Sequence, residues 1–158
     1  MKLVLREALN SDAAAVAEVM VASRQAFIPF APMAHSVSEV RTWVESTLIP
    51  SGGVTVACIS EEVVGVLARS QANGISWVDQ LYLLPGFVGK GLGTLLLEHG
   101  LKSLNRPVRL YTFQANAGAR RFYEKHGFRA IAFSDGSTNE EKCPDILFEL
   151  TADGENAD

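Results

Sequence analysis

Leu81–Tyr82–Leu83–Leu84–Pro85–Gly86–Phe87–Val88–Gly89–Lys90–Gly91–Leu92–Gly93–Thr94 decides how this chain is read, because it passes from strand through a glycine-rich turn into a helix. Such a turn frees several backbone N–H groups beside the positive end of a helix, and together they can grip a phosphate without charged side chains. Glycine lets the backbone take positive φ and approach the bound group closely. Lys90 and Thr94 add a charge and a hydroxyl. The same residues also suit a tight turn that binds nothing. Spacing removes two other phosphate loops. A Walker loop needs Lys followed by Ser or Thr, and Lys90 is followed by Gly91. A Rossmann loop follows a first parallel strand, whereas this one follows strands joined by short turns.

Outward toward the N-terminus, Asn73–Gly74 is a strong hairpin signal between the runs Val63–Gln71 and Ile75–Leu84. Val54–Ser60 precedes them across a short connection at Glu61–Glu62, so the middle of the chain is an antiparallel meander. Before it, Lys2–Ala8 reads as a first strand. Ser11 or Asp12 can cap a helix running to about Phe27, and Pro29 and Pro32 break the chain after it. Ser36 and Glu39 have the form of a capping box opening a second helix through about Leu48, ended by Pro50–Ser51–Gly52–Gly53.

Toward the C-terminus, Leu92–Leu104 is a helix with Leu92, Leu95, Leu96 and His99 on or near one stripe. Pro107–Phe113 is a strand and Ala117–His126 a helix stopped by Gly127 as a left-handed cap. Phe128–Phe133 and Asp145–Thr151 are the last strands. The order βααβββαβαββ is not that of a doubly wound sheet; it predicts a mixed sheet with helices on its faces.

The run Leu81-x-Leu83-x-Pro85 followed by Val88-x-x-Gly91-x-Gly93 resembles the acyl-CoA signature of the GNAT superfamily, an Arg/Gln-x-x-Gly-x-Gly/Ala loop whose amides hold the CoA pyrophosphate. Val88 stands where that family has Arg or Gln, a position it uses largely through the backbone. A second stretch is similar to the family's other signature, an Asn at a strand–helix junction followed by Ala-x-x-Phe-Tyr-x-x-x-Gly-Phe. Asn116, Ala119, Phe122, Tyr123, Gly127 and Phe128 match it in type and spacing.

The resemblance implies an α+β, three-layer GNAT fold with a mixed, mostly antiparallel sheet of about seven strands and helices on both faces. It implies one domain over residues 1–151, before an acidic tail at 152–158. It also implies an N-acetyltransferase that takes acetyl-CoA as co-substrate. The pyrophosphate would lie on Val88, Gly89, Lys90, Gly91, Gly93 and Thr94. Leu81 and Leu83 would pair with the pantetheine amides, Tyr82 would line the site, and Asn116, Ala119 and Phe122 would flank the cofactor. Asn116 also suits a plain helix cap, and Phe122 a core ring. In the family the Tyr at position 123 lies near the CoA sulfur and protonates the leaving thiolate, a step open to a neutral phenol. Asp79, an acid inside an apolar strand, is the candidate base; the alternative is a strand-end charge paired with an Arg. His35 lies in the region that shapes the acceptor pocket, and Glu140, Glu141 and Asp145 lie in a loop that could hold an amine.

Composition narrows the rest. The 158 residues are 47% apolar with a net charge of -4, which supports a packed core and offers nothing to nucleic acid. From Asp135 onward eight acidic residues face one basic residue, Lys142; the totals of 18 and 14 leave 10 acidic and 13 basic before it. The body therefore suits an anionic cofactor, and the acidic end a cationic substrate or simple solvation. Cys58 and Cys143 make neither a disulfide framework nor a metal spacing, and Cys58 reads as a small core residue. No metal is expected. Without a signal peptide or a run of about 18 apolar residues, the expected setting is cytoplasmic, with no membrane partner. The acceptor would be a small-molecule amine or a protein amino group, and a homodimer is a candidate assembly. A non-catalytic acyl-CoA-binding module and a nucleotide-phosphate binder are the competing readings.

Overall fold

A computed structural model describes residues 2–31 and 34–151. Strands β1 (Leu3–Glu7), β2 (Val54–Ile59), β3 (Glu62–Ala72), β4 (Ile75–Leu83), β5 (Val108–Phe113), β6 (Arg129–Ser134) and β7 (Asp145–Leu150) hydrogen-bond in the order β1-β2-β3-β4-β5-β7-β6. The β4–β5 ladder is parallel, while β1–β2, β2–β3, β5–β7 and β6–β7 are antiparallel. The mixed, mostly antiparallel seven-stranded sheet is thus as expected. Helices α1 (Ala13–Phe27), α2 (Val37–Trp43), α3 (Leu92–Leu101) and α4 (Ala117–Lys125) fall in the expected order.

The described residues group into two compact units. The first takes in residues 2–29, 35–69 and 80–103; the second takes in residues 30, 31, 34, 70–79 and 104–151.

In the first unit, the apolar stripe of α1 (Val16, Ala17, Val19, Met20) packs with Val54, Val56 and Cys58 of β2 and Val63, Val66 and Ala68 of β3. Cys58 is the small core residue expected. The helix start differs from expectation. Asp12 makes no cap bond to α1; its carboxylate accepts from both terminal nitrogens of Arg6, at 2.8 and 3.0 Å, and from the Leu9 N–H at 2.7 Å. A guanidinium is a stronger partner than a helix amide. Arg6 hydrogen bonding, with help from Leu9, holds the Asp12 carboxyl below the usual carboxylate value against the opposing effect of burial. The Ser36–Glu39 capping box forms in both directions, at 3.1 and 2.8 Å. The α-helix after it ends at Trp43, and a single π-helical turn carries the chain to Leu48. The β2–β3 turn lies one residue earlier than expected, with positive φ at Ser60 and Glu61. Asn73 and Gly74 take φ of 55° and 80°, the paired positive values a tight hairpin requires.

Helix α3 buries Leu92, Leu96, Leu97 and Gly100 and exposes Leu95 and His99. The expected stripe was therefore rotated by about one residue. Two glycines explain the seat. A Cβ on Gly100 would stand 2.9 Å from Leu67 Cδ2, and a Cβ on Gly65 would stand 2.9 Å from Leu96 Cδ1 and 2.7 Å from Leu83 Cδ2. The helix approaches the strands where side chains are missing, and that contact sets which face is inside.

In the second unit, β5 and β7 run in register from Val108↔Leu150 to Phe113↔Asp145. Val108, Leu110, Ile146, Phe148 and Leu150 are buried on one face of this pair. Tyr123 and Phe128 join them, with ring centroids 6.3 Å (Tyr123–Phe148) and 5.7 Å (Tyr123–Phe128) apart.

Candidate functional site

In the first unit β4 leads through a short turn at Pro85–Phe87 into the glycine loop and α3. Two hydrogen bonds close the turn, Phe87 N–H to Leu84 O at 2.9 Å and a long one, Val88 N–H to Pro85 O at 3.4 Å. The Val88 amide is therefore already engaged, and its side chain is 45% exposed. Gly89 and Gly91 both sit at φ +83°, where a Cβ would meet nothing within 4 Å. Their requirement for glycine is one of backbone angle rather than crowding. Gly91 is the N-cap of α3. Among the described residues, the N–H groups of Gly89, Lys90, Gly91, Leu92 and Gly93 donate to no protein acceptor. A row of unmet amides at the positive end of a helix is the physical form of an anion site. Lys90 is exposed beside it, and Gly93 and Thr94 lie in the first turn of α3.

Leu81, Tyr82 and Leu83 occupy the end of β4, each partly buried. The parallel ladder between β4 and β5 covers only Ser76↔Val108 and Trp77↔Arg109.

In the second unit Asn116 caps α4, its Oδ1 accepting from the Ala119 N–H at 3.2 Å. Its Nδ2 makes no bond among the described residues. Gln114, which the sequence reading passed over, anchors the junction before the cap. Its Nε2 donates to Ser134 O at 2.9 Å and Asp145 O at 3.1 Å, while Arg120 Nη1 donates to its carbonyl at 3.0 Å. Only the folded β5–β6–β7 arrangement brings these groups to Gln114. Helix α4 ends as predicted, with Gly127 at φ 92°. The Gly127 and Phe128 amides donate to Glu124 O and Tyr123 O at 3.1 and 3.0 Å, a Schellman closure with the Tyr123–Phe128 contact that accompanies it. Tyr123 is 8% exposed. Phe122 is only partly buried and packs edge-on to Tyr123 and His126, with centroids 5.2 and 4.8 Å away.

Asp79 is exposed on β4 rather than enclosed by its apolar neighbours, and no Arg pairs with it among the described residues. His35 is exposed, its Nδ1 3.7 Å from Glu39 Oε1. Asp145 is engaged by its own loop: Oδ1 accepts from Ser134 Oγ at 2.6 Å and Oδ2 from Asn139 Nδ2 at 3.2 Å. Among the described residues no three His, Cys, Asp or Glu side chains are placed to hold a metal ion, and no helix is long and apolar enough to cross a membrane.

A sequence profile of the acetyltransferase (GNAT) family matches residues 20–128. An uncharacterized N-acetyltransferase of Archaeoglobus fulgidus is 34% identical over 88 residues, covering 49% of this chain; the match spans 60% of that relative's length. Solved structures share the fold. The apo form of YjaB from Escherichia coli superposes with a TM-score of 0.75 at 22% identity, over 94% of this chain and 97% of that one. The paiA N-acetyltransferase of Thermoplasma acidophilum, solved in complex with coenzyme A, gives 0.71 at 21% identity, over 96% and 99%.

Proposed function

This chain belongs to the acetyltransferase (GNAT) family, and from that premise we propose that it transfers an acetyl group from acetyl-CoA directly to a primary amine of a small molecule or a protein. The observation that carries the proposal is the row of unmet amides from Gly89 to Gly93 at the head of α3. Acetyl-CoA supplies the activated thioester; binding and proton handling fall to the residues.

The Gly89–Gly93 amides and the α3 dipole take the pyrophosphate, Lys90 adds a point charge, and Thr94 adds a hydroxyl. Val88, with its amide turned into the preceding turn, contributes contact rather than a hydrogen bond. Leu81 and Leu83 offer main-chain groups to the pantetheine amides in the manner of an added strand. Tyr82 flanks that segment. At the start of α4, the Asn116 Nδ2 is the group left to donate to the cofactor, with Ala119 and Phe122 beside it. The Leu81 N–H polarises the acetyl carbonyl, a fixed donor where negative charge develops. As the C–N bond forms and the C–S bond breaks, Asp79 accepts the proton lost by the amine and Tyr123 donates one to the departing sulfur.

The test is paired. Calorimetry compares CoA with ATP and NAD, and a thiol-release assay runs acetyl-CoA against an amine panel. CoA should bind preferentially and thiol release should depend on amine. Equal binding of all three nucleotides would remove the cofactor assignment. CoA binding without amine-dependent release from any acceptor would make the chain an acyl-CoA-binding module.

A further inference from the structure

The second unit carries an aromatic platform that the reaction scheme above does not use. Along β4, Trp77 and Asp79 alternate with Ser76 and Val78, which are 2% and 5% exposed, so Trp77 and Asp79 share the outward face of the strand. The same alternation along β5 puts Arg109, Tyr111 and Phe113 together, opposite the buried Val108 and Leu110. Parallel register sets Trp77 beside Arg109. The Trp77 and Tyr111 rings stack, with centroids 5.7 Å apart and planes 13° apart. Despite that partner, Tyr111 is 60% exposed. The charges on this face are uneven. Arg109 Nε donates to Glu149 Oε2 at 2.8 Å, so these two largely cancel. Asp79 is exposed and has no hydrogen-bond or ion-pair partner among the described residues. A flat aromatic surface thus adjoins the exposed carboxylate of Asp79, while Asp145, opposite Phe113, is held by Ser134 and Asn139.

We propose that this face receives the acceptor, and that the acceptor is an amine with an aromatic body, its ring laid on Trp77 and Tyr111 and its ammonium directed to Asp79. The assignment of acceptor rests on the acetyl-transfer reading above; the platform itself is read from the residues of this unit. Charge complementarity selects a cation, since Asp79 repels an anion. Ring-on-ring packing selects an aromatic amine over an alkyl one. That advantage is about tenfold in affinity.

Trp43 and Trp77 are the two tryptophans of the chain, so a Trp43→Phe variant makes Trp77 the sole indole reporter. Titrating this variant with 2-phenylethylamine should quench Trp77 emission at about one-tenth the concentration that butylamine needs. Adding Tyr111→Ala should erase that preference, and adding Asp79→Asn should weaken both amines. In turnover, Tyr111→Ala should raise KM for 2-phenylethylamine about tenfold and leave KM for acetyl-CoA unchanged. Equal concentrations for the two amines, or a preference that survives Tyr111→Ala, overturns the inference. So does sedimentation showing a dimer that Tyr111→Ala dissociates, because a second copy would then cover the platform. The two readings fail separately. Acetylation of amines without phenyl preference sinks the platform alone, whereas phenyl-selective quenching without acetylation of any amine sinks the transfer reading alone.

Discussion

Replacing Gly91 by alanine isolates the backbone angle of the glycine loop from every other property. Gly91 lies at φ 83°, ψ 0° as the N-cap of α3, and an added Cβ meets nothing within 4 Å. There is no steric term, so the whole perturbation is the left-handed conformation, about 1–2 kcal/mol for an L-residue. The turn ahead of Gly91 is held by the Phe87 and Val88 bonds, one of them 3.4 Å long, so the ligand-free loop relaxes and little of the penalty reaches global stability. Binding must then restore the left-handed angle to aim the amides. The dissociation constant for CoA should rise by about 5- to 30-fold, the penalty converted at 1.4 kcal/mol per decade. The ligand-free Tm should move by less than about 2 °C. Gly91→Asn, better tolerated in this region, should recover part of the loss. Gly86→Ala is the control, because Gly86 has ordinary φ and open space around it. Calorimetry with CoA and thermal melts of the three variants decide the matter. CoA binding by Gly91→Ala at parental affinity, or an equal loss in Gly86→Ala, would refute the reasoning.

Tyr123→Phe should lower kcat on the order of 10²-fold if general acid catalysis dominates, with KM for acetyl-CoA little changed; parental kcat would give the proton to water instead. Asn116→Ala removes the 3.2 Å cap to Ala119 and should destabilise by about 1 kcal/mol, lowering Tm by about 2–4 °C. Unchanged melting would mean that the cap adds nothing to the folded state. Asp12 has its carboxyl lowered by Arg6, so its stabilising effect is complete above the ordinary carboxylate value and fades as pH falls through the lower folded value. The Tm gap between the parent and Asp12→Asn should therefore be flat near neutrality and close in acid. A gap independent of pH contradicts the assignment.

Features legible in the residues alone are those whose cause lies within a few positions along the chain. Asn73–Gly74 makes its hairpin because those two residues tolerate positive φ. Ser36 and Glu39 cap α2 because the box is closed by groups three residues apart, and Gly127 ends α4 through amides that reach back along its last turn. The glycine loop and the Asn116–Tyr123 stretch were legible for the same reason, and with the strand order they carry the family. What the tertiary structure decided involves partners far apart in sequence. The buried stripe of α3 follows from where Gly65 and Gly100 let the helix approach its strands, which periodicity within Leu92–Leu101 could not choose. Arg6 draws Asp12 from a cap into an ion pair. Asp79 stands in the chain among the apolar Val78, Leu81 and Leu83, yet the folded sheet leaves it exposed. The Trp77–Tyr111 stack exists because a parallel ladder brings β4 beside β5. Local propensity acts through the next few residues, whereas burial and ring packing depend on which strands meet, and that is settled only when the whole sheet forms.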